Sequence, residues 1–255
     1  MRDYRKCGLG CFKDKPDSRD YVYAPAKAAN VRYPIEYMLE NTVVKDQGEV
    51  NSCVAHSIST IKEIQEYYET KKKLIFSVGW IYGFRVENQY RGEGMYPREA
   101  LNNLIKYGDV LQSDFPENFE YNDIQNLISK RKASCITKAA NFKCKSYARV
   151  TSSNDVKSCL YTNHSPVMVI AEIYDSFYKT GKDGVVRNEK SGSNNGGHAM
   201  TIVGWKKIGS GEYWIVQNSW GVDFADKGYC YIRFGSNIIT DLYTVTDLQN
   251  VRKQV

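Results

Sequence analysis

The residue best placed to do chemistry is Cys53. It follows Ser52, a side chain suited to a helix N-cap, and opens a stretch in which Val54, Ile58, Ile61, Ile64 and Tyr68 recur at steps of three and four. A helix starting there sets the thiol at the positive end of its dipole, which favours thiolate, the nucleophilic form. Taken alone, a cysteine in an intracellular chain is more often a small buried hydrophobe. Other chemistries lack their parts. The three histidines, His56, His164 and His198, form no His-Glu-x-x-His helix or other ligand set, and the chain has no serine nucleophile elbow. Cys7 and Cys11 could be half of a metal site, but no second pair with ligand spacing completes it, so they read as free thiols in a loop.

Three segments change the weight of Cys53. They are Val44-Lys45-Asp46-Gln47-Gly48-Glu49-Val50-Asn51-Ser52-Cys53-Val54-Ala55, Gly196-Gly197-His198-Ala199-Met200 and Trp214-Ile215-Val216-Gln217-Asn218-Ser219-Trp220-Gly221. In order and residue type they resemble the papain/cathepsin family of cysteine peptidases. His198 lies 145 positions after Cys53, within the family's spacing, and Asn218 lies 165 after it, which a turn at Gly209-Ser210-Gly211 accommodates. Gly94-Met95-Tyr96-Pro97-Arg98-Glu99-Ala100-Leu101 is similar to the family's cleft wall, Ser165-Pro166-Val167 to the start of a strand crossing the β half, and Gly228-Tyr229 to the start of a late strand. The resemblance runs from about residue 33 to the C-terminus.

It implies a papain-like, two-lobed α+β fold with the active site in the cleft between the lobes. A mainly helical left lobe (about 40–140) would pack on an antiparallel, β-barrel-like right lobe (about 141–255), with residues 1–32 an N-terminal arm ahead of a peptidase domain, 33–255. It implies Cys53 as nucleophile, His198 as its acid/base partner in an imidazolium–thiolate pair, Asn218 as the group orienting the imidazole, and Gln47 in the oxyanion hole with the Cys53 N–H. Trp220 would shield the His198–Asn218 bond. Gly94, Met95 and Gly197 would meet substrate. Tyr96, Pro97, Ile170, Ala199 and Val245 would surround the pocket for the second residue before the scissile bond, favouring a bulky aliphatic or aromatic side chain. The implied activity is endopeptidase cleavage of polypeptides without cofactor or metal. The same machinery serves a thiol acyl-transferase, such as a transpeptidase or deamidase. A binding protein that kept the fold is disfavoured by the intact nucleophile and base.

The chain departs from the family at Val50, usually cysteine, Asn51, usually glycine, and Val54, usually tryptophan, which alters the cleft floor. In place of a long helical pro-region, Lys13-Asp14-Lys15-Pro16-Asp17-Ser18-Arg19-Asp20-Tyr21 is similar to the short lead-in of prokaryotic and viral relatives. Residues 1–30 are expected to lie on or near the cleft and regulate it, or to strap the β lobe.

The elements that position these residues are legible in the pattern. Besides the helix from Cys53, Pro97 to Tyr107 reads as a helix with proline in its first turn and Gly108 after its end. Beyond about residue 140, Val167–Ile173, Ala199–Trp205, Tyr213–Gln217 and Tyr229–Phe234 read as strands separated by turns. At 255 residues and 42% apolar the chain can bury a substantial core. The net charge of +6 is scattered apart from Lys71-Lys72-Lys73 and Lys130-Arg131-Lys132, which suit solvated helix ends and not nucleic-acid binding. No run reaches the ~20 apolar residues of a membrane span, and no signal-peptide core follows Met1. With seven unpatterned cysteines, this predicts reduced thiols and a cytoplasmic location, release by a non-classical route or packaging in a virion remaining open.

Overall fold

Helix α1 (Cys53–Thr70) begins at the expected residue but is not a surface helix with one apolar face, because every residue from Cys53 to Gln65, and Glu66 after it, is buried. It runs between the lobes, touching α2 (Val78–Gly83) and α3 (Pro97–Tyr107) on one side and the β lobe on the other. Its buried charges are therefore paired: Glu63 with Lys45 at 2.7 Å and Glu66 with Lys62 at 3.4 Å. Ser52 does not cap the helix with its side chain; its hydroxyl lies 3.2 Å from Nδ1 of His56, whose ring also donates to the Ser52 carbonyl at 3.1 Å. His56 is thus a buried packing residue that ties down the first turn. The helix ends at Lys71, which takes a left-handed φ of 60° and returns its N–H to Tyr67. This computed structural model describes residues 2–18, 20–24, 31–40, 43–86, 93–115 and 133–247, so the Lys130-Arg131-Lys132 run lies outside the described residues.

The β lobe is one antiparallel sheet. Its strands are β1 (Tyr37–Met38), β2 (Cys144–Arg149), β3 (Val167–Tyr174), β4 (Asn194–Ile208), β5 (Gly211–Gln217), β6 (Tyr229–Arg233) and β7 (Ile239–Asp247), in the order β2-β7-β3-β4-β5-β6 with β1 on β4. The sheet stays open and does not close into a barrel. Helix α4 (Ser153–Asn163), capped by the Ser152 hydroxyl, packs on β3 and β4 within a half read from sequence as mainly β, with no helix placed there. Alternation along β3 divides the core: Val167, Val169 and Ala171 face the cluster with Trp205 and Trp220, whereas Met168 and Ile170 face the cluster with Cys53, Trp80 and Leu101. On β4, Ala199 and Met200 divide the same way. His198 precedes this pair, at the boundary between the clusters and opposite Ala171.

Candidate active site

Gln47 and Asn218 are held by one stitched seam. Asp46 pairs with Trp220, the Gln47 N–H donates to Ser219 O at 2.8 Å, and the Gly221 N–H to Lys45 O at 3.0 Å. The Ser219 hydroxyl donates to Gln47 Oε1, which turns the amide nitrogen the other way, toward Gly8 O at 2.9 Å and Val50 O at 2.7 Å. Lys45 joins the seam to α1 through Glu63 and Ser59, and also donates to the Phe76 carbonyl beyond the helix.

On β4, buried His198 donates from Nε2 to Asn218 Oδ1 at 2.8 Å, and the same oxygen accepts the Ser219 N–H at 2.8 Å. That bond leaves Nδ1 as the basic nitrogen; it is buried with no hydrogen-bond partner. Trp220 stacks on the imidazole with centroids 4.9 Å apart, and Tyr178 stacks on Trp220. A ring packed there keeps water from the His198–Asn218 bond.

The Cys53 sulfur lies against the backbone N–H groups of Ala199 and Val54, and its thiol donates to the carbonyl of Leu9. Burial pushes this thiol up to about 12, and burial pushes His198 down to about 4 despite its bond to Asn218. Both groups are therefore neutral here, unlike the ion pair expected from sequence: the site is dry, and neither charge has water to support it.

The dryness has a visible source. The Gly8 N–H donates to Gly48 O at 3.1 Å and the Leu9 N–H to Asn51 Oδ1 at 2.9 Å. Beyond them, the Met95 N–H donates to Gly10 O at 2.8 Å, the Cys11 N–H to Gly197 O at 3.1 Å and the Phe12 N–H to Met95 O at 3.0 Å. Residues 8–12 thus thread the groove between the lobes, pairing with Met95 in the parallel sense. Gly94 and Gly197 permit the approach: a Cβ on Gly94 would stand 2.7 Å from Gly10 O, and one on Gly197 2.4 Å from Cys11 O. Met95, Ile170, Ala199 and Val245 share a buried apolar cluster with Cys11 and Cys53. Pro97 is buried in the first turn of α3, whereas Tyr96 is exposed and packs on Phe12 at 5.1 Å. Trp220 stands apart from these, against His198. Asn51 was read as altering the cleft floor, but its bond to the arm, like that of Ser219 to Gln47, was not anticipated, because neither side chain carries a signal until its partner is known.

The sequence profile described as "Papain family cysteine protease" matches residues 32–247. A gut-specific cysteine proteinase of Caenorhabditis elegans is 32% identical over 215 residues, 76% of this chain and 64% of that protein. A cysteine protease of Blomia tropicalis is 23% identical over 205 residues, 77% of this chain and 59% of that protein. The chain thus spans roughly three fifths of these curated relatives. Among solved structures, xylellain, a cysteine protease from Xylella fastidiosa, superposes with a TM-score of 0.81 at 23% identity, covering 95% of this chain and 97% of that one. A profile match that omits only the arm and the last few residues makes this chain a member of the papain family of cysteine proteases.

Proposed function

We propose that the protein is a cysteine endopeptidase, and that residues 1–32 form an arm that keeps it latent. The observation that carries this reading is that one continuous peptide, residues 8–12, engages Gln47, Cys53, Met95 and Gly197 at once. The groove has the hydrogen-bonding surface of a peptide-binding cleft, with the thiol on its floor.

With the arm away, water enters and the proton moves from Cys53 to His198. The thiolate attacks a peptide carbonyl carbon while Gln47 Nε2 and the Cys53 N–H take up the oxyanion. His198, held by Asn218, gives its proton to the leaving amine and then activates the water that hydrolyses the thioester. Substrate preference follows from the lining of Met95, Ile170, Ala199 and Val245, which suits a bulky apolar side chain two residues before the scissile bond.

The arm escapes this chemistry for a geometric reason. Cleavage needs one carbonyl with its oxygen on Gln47 and its carbon at the sulfur. Here the oxygen on Gln47 belongs to Gly8 and the oxygen at the sulfur to Leu9. The two requirements fall on different peptides, so the arm is bound without being cut. It also runs from Cys53 toward Tyr96, whereas in the proposed assignment the residues preceding a scissile bond lie on the Tyr96 side, so a substrate runs the other way.

All seven cysteines stand as free thiols, which supports a reducing, cytoplasmic setting. No helix among the described residues is long and apolar enough to cross a membrane. The test is intact-mass spectrometry after treatment with a thiol-directed peptide epoxide, beside Cys53→Ala. A single adduct that is absent from the control is expected, slow in the full chain and fast once the arm is loosened. An adduct on another cysteine, or none in the loosened chain, overturns the reading.

A further inference from the structure

Beyond the groove the arm does something that blocking Cys53 does not require. Helix α3 opens with Pro97, which has no N–H, and Tyr96 offers no side-chain cap, so Arg98 carries the first free N–H of the helix. The cap comes from the arm: Asp14 Oδ2 accepts that N–H at 3.0 Å and also faces the Tyr243 hydroxyl at 3.4 Å. The Arg98 guanidinium is taken as well, by Asp20 Oδ2 at 2.6 Å and the Lys15 carbonyl at 3.0 Å, while Tyr147 donates to the other Asp20 oxygen at 3.2 Å. Arg98 Nε is buried and has no partner.

Two arm carboxylates are therefore seated in a cradle whose donors all belong to the peptidase domain: the Arg98 backbone and fork from α3, Tyr147 from β2 and Tyr243 from β7. Asp241, the nearby acidic side chain of the domain, is neutralised by Arg149 at 2.7 Å. The cradle's remaining chemistry is that of a carboxylate receptor. It also lies in line with the groove. Leu9 meets the sulfur, Cys11 pairs with Met95, and Asp14 is five residues from Leu9.

We propose that the Arg98 cradle is a specificity subsite for an acidic side chain about five residues before the scissile bond, which the arm fills with its own aspartates. The proposal rests on the reading of the groove as a peptidase cleft. Arg98 is then a specificity-determining residue, and acidic polypeptides compete with the arm for the groove, so the favoured substrate is also the one best able to displace the arm.

The experiment uses two peptide epoxides identical except for Glu or Gln at the fifth residue before the warhead, reacted with full-length Asp14→Asn/Asp20→Asn, which loosens the arm and leaves the cradle intact. The rate of Cys53 labelling is read by intact mass. The Glu probe is expected to react about tenfold faster, an ordinary effect for one charge-assisted pair. The preference should vanish when Arg98→Gln is added, shrink with Arg98→Lys, which keeps the charge without the fork, and fall with added salt. Equal rates for the two probes in Asp14→Asn/Asp20→Asn overturn the subsite while sparing the peptidase reading; no labelling by either probe overturns both.

Discussion

Gly10→Ala is a sharp test of the arm, because it touches none of the proposed catalytic groups. Gly10 has a φ of +75°, and a Cβ there would stand 2.3 Å from Asn51 O and 2.5 Å from Asn51 Cβ. The left-handed backbone costs an alanine roughly 1–2 kcal/mol. The overlap cannot be relieved without drawing the chain off Asn51 Oδ1 or Met95 N–H, each bond worth about 1 kcal/mol net. A total of roughly 3 kcal/mol corresponds to about a hundredfold rise in the arm-off population. If the epoxide reaches Cys53 only when the arm is off, labelling accelerates by the same factor until the arm is mostly displaced. Gly235→Ala is the control: Gly235 has a φ of +72° with nothing near its Cβ direction, so it bears the backbone cost away from the groove. Should Gly10→Ala label no faster than Gly235→Ala, the arm does not gate the thiol.

Other expectations follow from the seam and the buried histidines. Asn218→Ala removes the acceptor of His198 Nε2–H, and kcat should fall by about ten- to a hundredfold with KM little changed, the usual cost of leaving a buried donor unpaired. Ser219→Ala frees the Gln47 amide to rotate, so kcat should drop severalfold, on the order of 1 kcal/mol, which steady-state kinetics on the arm-loosened chain would detect. Stability should depend on pH through His56, which burial pushes down to about 3. The unfolded histidine titrates near 6.5 and binds its proton first. Its contribution is therefore whole above pH 6.5 and is lost as pH falls toward 3. Urea midpoints of the wild type should thus fall between pH 6.5 and 4 more steeply than those of His56→Gln, and parallel profiles would refute the assignment.

How much of this was legible in the sequence depended on whether a residue's role is local. Helix α3 was readable to its ends because Pro97 and Gly108 act within their own turns. Four strands were readable because β-branched runs between turn residues need no partner to be recognised. Helix α4 was not: its buried apolar residues, Val156, Cys159 and Leu160, are few, and its start depends on the Ser152 cap more than on periodicity. The short α2 gave too few residues for any period to show. At the site, the roles proposed for Cys53, His198, Asn218 and Gln47 came through the order of their flanking segments, since a cysteine at a helix start carries little weight alone. The contacts of Ser219, Asn51 and Arg98 escaped because each is with a residue at least 42 positions away, and only the folded chain shows which.

On the proposed mechanism, burial by the arm also decides where one proton sits. In the covered site Cys53 holds its proton up to about pH 12 and His198 is unprotonated down to about 4, so between those limits the pair carries one proton, on sulfur. In a wet cleft the two charges support each other and the same proton sits on the imidazole. Opening then shifts a proton within the pair without exchanging one with solvent, and so near neutrality it adds no pH dependence of its own. Labelling of Cys53 in Gly10→Ala by a neutral epoxide is expected to stay flat from about pH 5.5 to 7.5. A thiolate formed without His198 would instead titrate like an ordinary cysteine, near 8.5, and the rate would climb about tenfold per pH unit across that range. Such a slope would sink the ion-pair mechanism while leaving the gating by the arm intact.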